Sequence, residues 1–345
     1  MKQIHILLLF GGESSEHEVS IESARNVYEA VDKDKFNVSL GYISRNGIWT
    51  LVDAVSDYKD SETGARIIPI LGDKKFMIQS TSNALSPDLI LPILHGHNGE
   101  DGTVQGLADL MHIPIVGCGQ AASALCFDKV STKRIAEACR IPVAEYVTHL
   151  DGSQLPSYES LVDKLGPTMF IKPVKEGSSV GVSKVANASE FNDAITEAHK
   201  YDELILIEKA VVGRELEIAV LGNLPNISVS DVGEVIPDGE FYSYEAKYDS
   251  TSSSEVIIPA DISDEIKVRA QNYARTLFAE LGCRGMARID FFLEGDVLML
   301  NEINTIPGFT NISMYPKLWL ASGMTYPELV EKLITLAIEP VTIES

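Results

Sequence analysis

Arg288, Asp290, Glu302 and Asn304 stand in two apolar runs on either side of Glu294-Gly295-Asp296. This pattern predicts two antiparallel strands joined by a short turn. Side chains alternate faces along a strand, so Arg288 shares a face with Asp290, and Glu302 with Asn304. Paired in register, the hairpin gathers three oxygen donors and a guanidinium on one side. Carboxylate and amide oxygens suit a hard cation such as Mg²⁺, which usually also needs phosphate oxygens to complete its shell. By the same alternation Leu298 and Leu300 fall on the Glu302 face, so the strand reads as a pocket floor ending in metal ligands. A plain hairpin with one polar, solvent-facing side is the alternative.

The elements that must position these groups follow from apolar runs and turn residues. The run at 4–10 reads as a buried parallel strand, and Gly11 and Gly12 turn the chain. Ser15 and Glu18 predict a capping box at the start of a helix over 16–30. A strand, glycine turn and helix N-terminus make an anion-binding edge, although Gly-Gly-Glu-Ser-Ser-Glu is not G-x-G-x-x-G. A second buried strand at 89–94 ends in His95-Gly96-His97-Asn98-Gly99-Glu100-Asp101-Gly102, where open α/β sheets place ligands. His95-x-His97 lacks the third ligand and the spacing of a zinc site. Residues 46–87 carry no evident chemistry and read as an insertion.

A helix from Asp128 to about Cys139 carries Lys129, and a strand at 169–173 carries Lys172 near its end. The following Glu176-Gly177-Ser178-Ser179-Val180-Gly181 leads to a strand at 182–185. Its amides and hydroxyls could hold phosphate oxygens, with Lys172 as counter-charge; a simple hairpin turn is the other reading. It is not a P-loop sequence. Glu208 and Lys209 follow an apolar run, and Glu215 comes soon after. These carboxylates either accept hydrogen bonds from amino and hydroxyl groups or are surface charges. Residues 241–254, an aromatic-Lys-Tyr stretch running into serines, read as a lid or an exposed connector. A long helix at 263–281 covers the last sheet. A turn-rich loop at 305–316 includes Gly308, where the backbone can approach an anion closely, and a final helix spans 326–338.

A chain of 345 residues predicts two or three domains. The 28 basic and 50 acidic residues give a charge of −22, which argues against non-specific nucleic-acid or anionic-membrane binding. An anionic substrate must therefore meet a local cluster of Lys and Arg. Cys118, Cys126, Cys139 and Cys283 show no CxxC spacing, so neither a zinc site nor a disulfide framework is expected. No apolar run is long enough to span a membrane and no signal-peptide pattern opens the chain, so a cytoplasmic protein is expected.

Taken in order, the blocks 11–20, 95–102, 172–181, 244–248, 286–290 and 301–316 resemble D-alanine–D-alanine ligases. The likeness covers nearly the whole chain, and Asn-Glu-Ile-Asn-Thr-Ile-Pro-Gly-Phe-Thr-Asn-Ile-Ser-Met-Tyr-Pro is its most specific part. The family belongs to the ATP-grasp superfamily. The resemblance implies α/β and α+β architecture: an N-terminal Rossmann-like domain at 1–123, a central ATP-grasp subdomain at 124–211 and a C-terminal one at 212–345. It implies ATP-dependent joining of two D-alanine molecules through an acyl phosphate, releasing ADP and phosphate, for peptidoglycan precursors. A homodimer is implied too.

Carried over by position, Asp290, Glu302 and Asn304 would hold two Mg²⁺ ions, with Mn²⁺ as an alternative. Lys129, Lys172 and Lys247 would neutralise phosphate oxygens under the Ser178-Ser179 loop, and Glu208, Lys209 and Glu215 would bind the adenosine part of ATP. Glu16 would meet the ammonium of the first D-alanine and His95 its carboxylate. Glu16, Ser178 and Tyr248 look like a hydrogen-bonded triad. Arg288 and the Gly308 amide would stabilise the oxyanion, and Ser313 and Met314 would hold the second D-alanine. Relatives making D-alanyl-D-lactate carry histidine at the lid tyrosine, so Tyr248 favours an amine nucleophile; D-serine or D-lactate as second substrate is the alternative. An ATP-grasp enzyme with another acid and amine would share the ATP residues but not Glu16, His95, Ser313 and Met314. A Rossmann oxidoreductase lacks its glycine fingerprint here, and a non-catalytic nucleotide-binding module would not need Arg288.

Overall fold

The computed structural model describes residues 3–58, 64–79, 81–236 and 255–339, whose strands form three sheets. The first contains β1 (Ile4–Gly11), β2 (Phe36–Ile43), β3 (Trp49–Val52), β4 (Ala65–Ile70), β5 (Lys75–Ile78), β6 (Ala84–Leu85) and β7 (Leu89–Leu94). Their order is β6-β5-β4-β3-β2-β1-β7. β1 lies between β2 and β7 and is parallel to both. Leu7, Leu8 and Leu9 are sealed from solvent, as a central parallel strand covered on both faces requires. Residues 46–87 contribute β3 to β6, an antiparallel extension of this sheet.

The crossover helix α1 (His17–Ala30) begins one residue later than expected, and the capping box does not form. Glu16 is its N-cap, with no side-chain cap bond, because the Glu16 carboxylate accepts from the Ser178 hydroxyl. Glu18 turns to Arg45 at 3.0 Å. After α2 (Thr103–Leu110) and α3 (Gln120–Phe127), Asp128 caps α4 (Lys129–Ala138) by accepting from the Ser131 amide at 2.8 Å.

The second sheet, in the order β10-β9-β11-β8, contains β8 (Tyr146–Leu150), β9 (Met169–Pro173), β10 (Ser183–Val185) and β11 (Leu204–Lys209). Residues of α5 (Tyr158–Leu165) and α6 (Ala188–Ala198) share its core. The third sheet contains β12 (Arg214–Asn223), β13 (Asn226–Ile236), β14 (Glu255–Ile257), β15 (Gly285–Glu294) and β16 (Val297–Asn304), in the order β14-β13-β12-β15-β16. The helix α7 (Asp264–Glu280) covers one of its faces.

The loop expected to run to 316 ends sooner, because α8 (Met314–Ala321) starts inside it. Pro316 is tolerated there, since the first helical turn has no use for its amide hydrogen. The last helix, α9 (Tyr326–Ile338), has a full capping box between Thr325 and Glu328. It packs against α1, β7, β12 and β15, so one hydrophobic core joins the beginning of the chain to its end.

Candidate active site

The hairpin of β15 and β16 pairs Arg288 with Asn304 and Asp290 with Glu302, then slips by one residue. Phe291 pairs with Leu300, which leaves Asn301 as the extra residue of a bulge. The bulge overturns the simple alternation. Leu298 and Leu300 pack into the core beside Ile289, Phe291 and Leu293, while Asn301 and Glu302 both face the cleft.

Register across three strands sets the electrostatics. Glu217 on β12 lies opposite Asp290, and Asp290 lies opposite Glu302. Like charges in adjacent cross-strand positions repel, so this row of carboxylates needs a cation. Arg288 supplies it: Nε and Nη2 donate to Asp290 at 2.8 and 2.7 Å, and Nε lies 2.8 Å from Glu217. Burial works against the charge on Arg288, but Asp290 and then Glu217 outweigh it and hold the guanidinium firmly protonated. Asn304 donates to Asp290 at 3.0 Å.

These groups form one wall of a small pocket of about 130 Å³. Glu16, His95 and Ser178 reach it from the first two sheets, Gly308 and Ser313 from the loop before α8, and Met314 from the first position of α8. His95 is buried, with Nδ1 3.0 Å from the Ile306 carbonyl and Nε2 3.4 Å from the Ser23 hydroxyl. Burial holds its pKa below the ordinary value, so the ring is neutral at pH 7. Gly308 has no room for a side chain, because a Cβ there would lie 2.7 Å from the Ser313 hydroxyl. That hydroxyl also accepts from the Thr310 amide at 3.0 Å.

A larger cleft of about 740 Å³ adjoins this pocket and shares Ser178, Glu215 and Glu302 with it. Its size falls within the roughly 300–1,000 Å³ typical of ligand sites. Phe170, Val235 and Phe292 give it apolar surface, and Lys129, Lys172, Ser179, Glu208 and Lys209 give it polar groups. Lys129 donates to the Glu176 carbonyl and lies 3.8 Å from Glu302. Ser178 and Ser179 both adopt left-handed backbone, with φ of 47° and 62°. Non-glycine residues seldom do so, and such strain gathers where a loop is shaped for a ligand.

The structure thus brings together the predicted residues it describes; Lys247 and Tyr248 lie outside the described residues. Glu208 is placed differently from the simple expectation of a carboxylate open to a ligand, for it is buried between Lys172, at 2.6 Å, and Lys133. Three residues escaped sequence reasoning. Glu217 was signalled by sitting two positions after Glu215 on one strand face, and Lys133 by following Lys129 at helical i,i+4 spacing. Glu100, inside the 95–102 block, is buried and accepts from the Gly96 amide at 3.1 Å. Burial, reinforced by the neighbouring Glu16 carboxylate, pushes it up to about 8. Among the described residues no three His, Cys, Asp or Glu side chains gather as a metal cluster, so a cation here depends on the Asn304 oxygen and on oxygens from a ligand.

Family models described as the D-ala D-ala ligase N-terminus and C-terminus match residues 5–118 and 135–335. The chain belongs to the D-alanine–D-alanine ligase family. It is 43% identical to D-alanine–D-alanine ligase A of Chromobacterium violaceum, over 98% of this chain and 96% of that protein. With the D-alanine–D-alanine ligase of Shouchella clausii it shares 41% over 98% and 96%. The solved D-alanine–D-alanine ligase of Coxiella burnetii superposes with a TM-score of 0.87 at 36% identity, covering 98% of this chain and 94% of that one. VanG D-Ala:D-Ser ligase of Enterococcus faecalis gives 0.88 at 34%, covering 98% and 100%. The fold is the expected ATP-grasp ligase architecture. Since a D-Ala:D-Ser ligase shares it, the backbone of a D-alanine–D-alanine ligase does not by itself select the second substrate. Among the described residues no helix is long and apolar enough to cross a membrane.

Proposed function

We propose that the protein joins two D-alanine molecules to D-alanyl-D-alanine, using ATP to activate the first as an acyl phosphate and releasing ADP and phosphate. The observation that carries this reading is the junction of the two cavities at Ser178, Glu215 and Glu302. One cavity has the size, apolar surface and lysines for a nucleoside triphosphate. The other holds opposite charges suited to a small zwitterion.

In this reading Lys129, Lys172 and, by position, Lys247 neutralise phosphate oxygens, while the Ser178-Ser179 loop offers amides and hydroxyls. Glu208, Lys209 and Glu215 line the adenosine end. Asp290, Glu302 and Asn304 are a hard oxygen donor set that fits Mg²⁺ or Mn²⁺, and these residues would hold two such ions. When bound, the ions supply positive charge to the transferring phosphoryl group. Glu16 takes the ammonium of the first D-alanine, and His95, by position, lies at its carboxylate end. Ser178 and, by position, Tyr248 hold Glu16 in place.

Attack by the amine of the second D-alanine places negative charge on the former carbonyl oxygen. Arg288 and the Gly308 amide stabilise that oxyanion, and phosphate then leaves. Ser313 and Met314 orient the attacking D-alanine. Arg288 is fixed by Glu217 as well as Asp290, so it needs little rearrangement during the step. We further propose three units at 1–123, 124–211 and 212–345, a homodimer, and a role in the cytoplasm in making peptidoglycan precursors.

The test is phosphate release with ATP and Mg²⁺, comparing D-alanine with L-alanine, and D-alanine alone with D-alanine plus D-serine or D-lactate. Products are identified by mass. D-alanine-dependent release with D-alanyl-D-alanine as the main product supports the reading. Release that needs D-serine or D-lactate would move the assignment to the other ligase type, and no D-alanine-dependent release would overturn it.

A further inference from the structure

Behind the cleft lies a buried cluster of alternating charge. Lys133 on α4 pairs with one carboxylate oxygen of Glu208 on β11, and Lys172 on β9 pairs with the other at 2.6 Å. Lys133 and Glu208 are each only 1% exposed, while the Lys172 side chain retains 14% exposure. Lys172 and Glu208 line the large cleft; Lys133 does not. A ligand in the cleft can therefore touch Lys172, whereas Lys133 can act on it only through Glu208.

The charge count gives this arrangement a purpose. A buried Glu208 facing Lys172 alone would form a neutral pair, and the ammonium's attraction for an anion in the cleft would be largely cancelled. With Lys133 on the far oxygen the cluster carries a net charge of +1, and its excess faces the cleft on Lys172. Burial disfavours an ionised Glu208, yet Lys133 and then Lys172 draw it down to about 2, so the carboxylate is charged throughout the working pH range. Burial also works against the Lys172 charge, but Glu208 raises its pKa above the ordinary value. The same helix presents Lys129 directly to the cleft one turn earlier. One face of α4 thus supplies one cation openly and a second at one remove.

We propose that Lys133 is a positioning residue that neutralises Glu208 from behind, so that Lys172 keeps its charge and its aim for the polyphosphate of a nucleotide. This inference rests on reading the large cleft as the ATP site. It predicts that Lys133 governs the phosphate part of binding beyond any effect that Glu208 passes to the nucleoside part.

The experiment measures dissociation constants of adenosine and ADP by calorimetry for the wild type, Lys133→Met and the double variant Lys133→Met/Glu208→Gln. The quantity read is the affinity for ADP relative to adenosine, because a lost contact to the base weakens both ligands and leaves that ratio unchanged. In Lys133→Met the ratio should fall by roughly tenfold to a hundredfold, equivalent to about 1.4–2.8 kcal/mol. The double variant removes both buried charges and leaves Lys172 facing only the cleft carboxylates Glu302 and Glu215, as in the wild type, so it should restore most of the ratio. It also keeps the test decisive if the single variant does not fold: a double variant with a wild-type ratio supports the proposal, and one with a depressed ratio overturns it. An unchanged ratio in a folded Lys133→Met overturns it, as does an equal loss for ADP and adenosine. A wild type that binds neither ligand would overturn the ATP-site reading itself, an outcome distinct from either variant's failure.

Discussion

The four-stranded sheet turns Lys172 and Lys209 toward the large cleft and buries the Glu208 carboxylate between two lysines, whereas the five-stranded sheet turns Glu215 and Glu302 toward that cleft and Asp290 toward the small pocket, with Arg288 set among its carboxylates. Each wall is dominated by one sign of charge, with groups of the opposite sign set into it. The lysine wall suits an anion directly. The carboxylate wall suits one only if cations come between, which is where hard metal ions would contribute. The embedded groups differ in consequence. Glu208 keeps lysines from repelling one another behind the surface, while Arg288 both holds three strands' carboxylates together and faces the small pocket.

Breaking the carboxylate wall should have the largest effect. Arg288→Met is expected to lower kcat by roughly 10²–10³-fold, the usual cost of losing an oxyanion donor. It should also lower the melting temperature, because buried Asp290 and Glu217 lose their partner. Steady-state phosphate release and thermal denaturation measure the two effects, and an active, equally stable variant would contradict both.

Glu302→Gln tests the cation requirement of that wall. Even an outer partner of a metal ligand costs roughly 10–100-fold in metal affinity, so at least that rise is expected in the Mg²⁺ concentration giving half-maximal rate. A magnesium titration at saturating substrates reads it. Ser178→Ala acts at the seam between the walls by removing the donor to Glu16. A hydrogen bond to a charged group contributes about 1.5–3 kcal/mol, so kcat/KM for D-alanine should fall by roughly 10–100-fold. ADP binding, followed by calorimetry, should move far less.

The smallest effect sharpens the contrast through a residue of neither sheet. Glu100 has a folded-state pKa of about 8 against an ordinary 4.5. Between those values the folded state keeps a proton that the unfolded state has released, so this group lowers stability as pH rises from 4.5 to 8. Glu100→Gln should therefore raise stability at pH 8 by on the order of 1 kcal/mol and flatten the pH dependence over that window. Denaturant melts of both proteins at pH 5 and pH 8 would show it, and a variant less stable at pH 8 would refute it.

Local pattern made much of this legible. The apolar runs at 4–10 and 89–94 mark the central parallel strands, and Thr325 and Glu328 lie at the start of the helix predicted for 326–338. The hairpin and its four polar residues could be read from alternation alone. What alternation cannot supply is the slip at Asn301, which sends Leu298 and Leu300 to the opposite side from the one expected. Nor can it supply the row from Glu217 to Asp290 to Glu302, since the pairing of β12 with β15 joins segments far apart in sequence. The capping box of Ser15 and Glu18 failed for a related reason: Glu18 turns to Arg45, which lies 27 residues along the chain. Local rules held where a residue's partners were its sequence neighbours, and missed where tertiary contacts competed for the same side chain.

The position of α9 has a consequence for biosynthesis. Leu329, Val330, Leu333 and Ile334 complete a core whose other side includes Ile6, Leu8 and Phe10 from the first strand. A ribosome adds about 5–20 residues per second, so the first strand emerges tens of seconds before the helix that covers it. Throughout that interval the nascent chain carries an unfinished apolar face. The apolar face of the first strand is therefore completed only once the last described helix has been made.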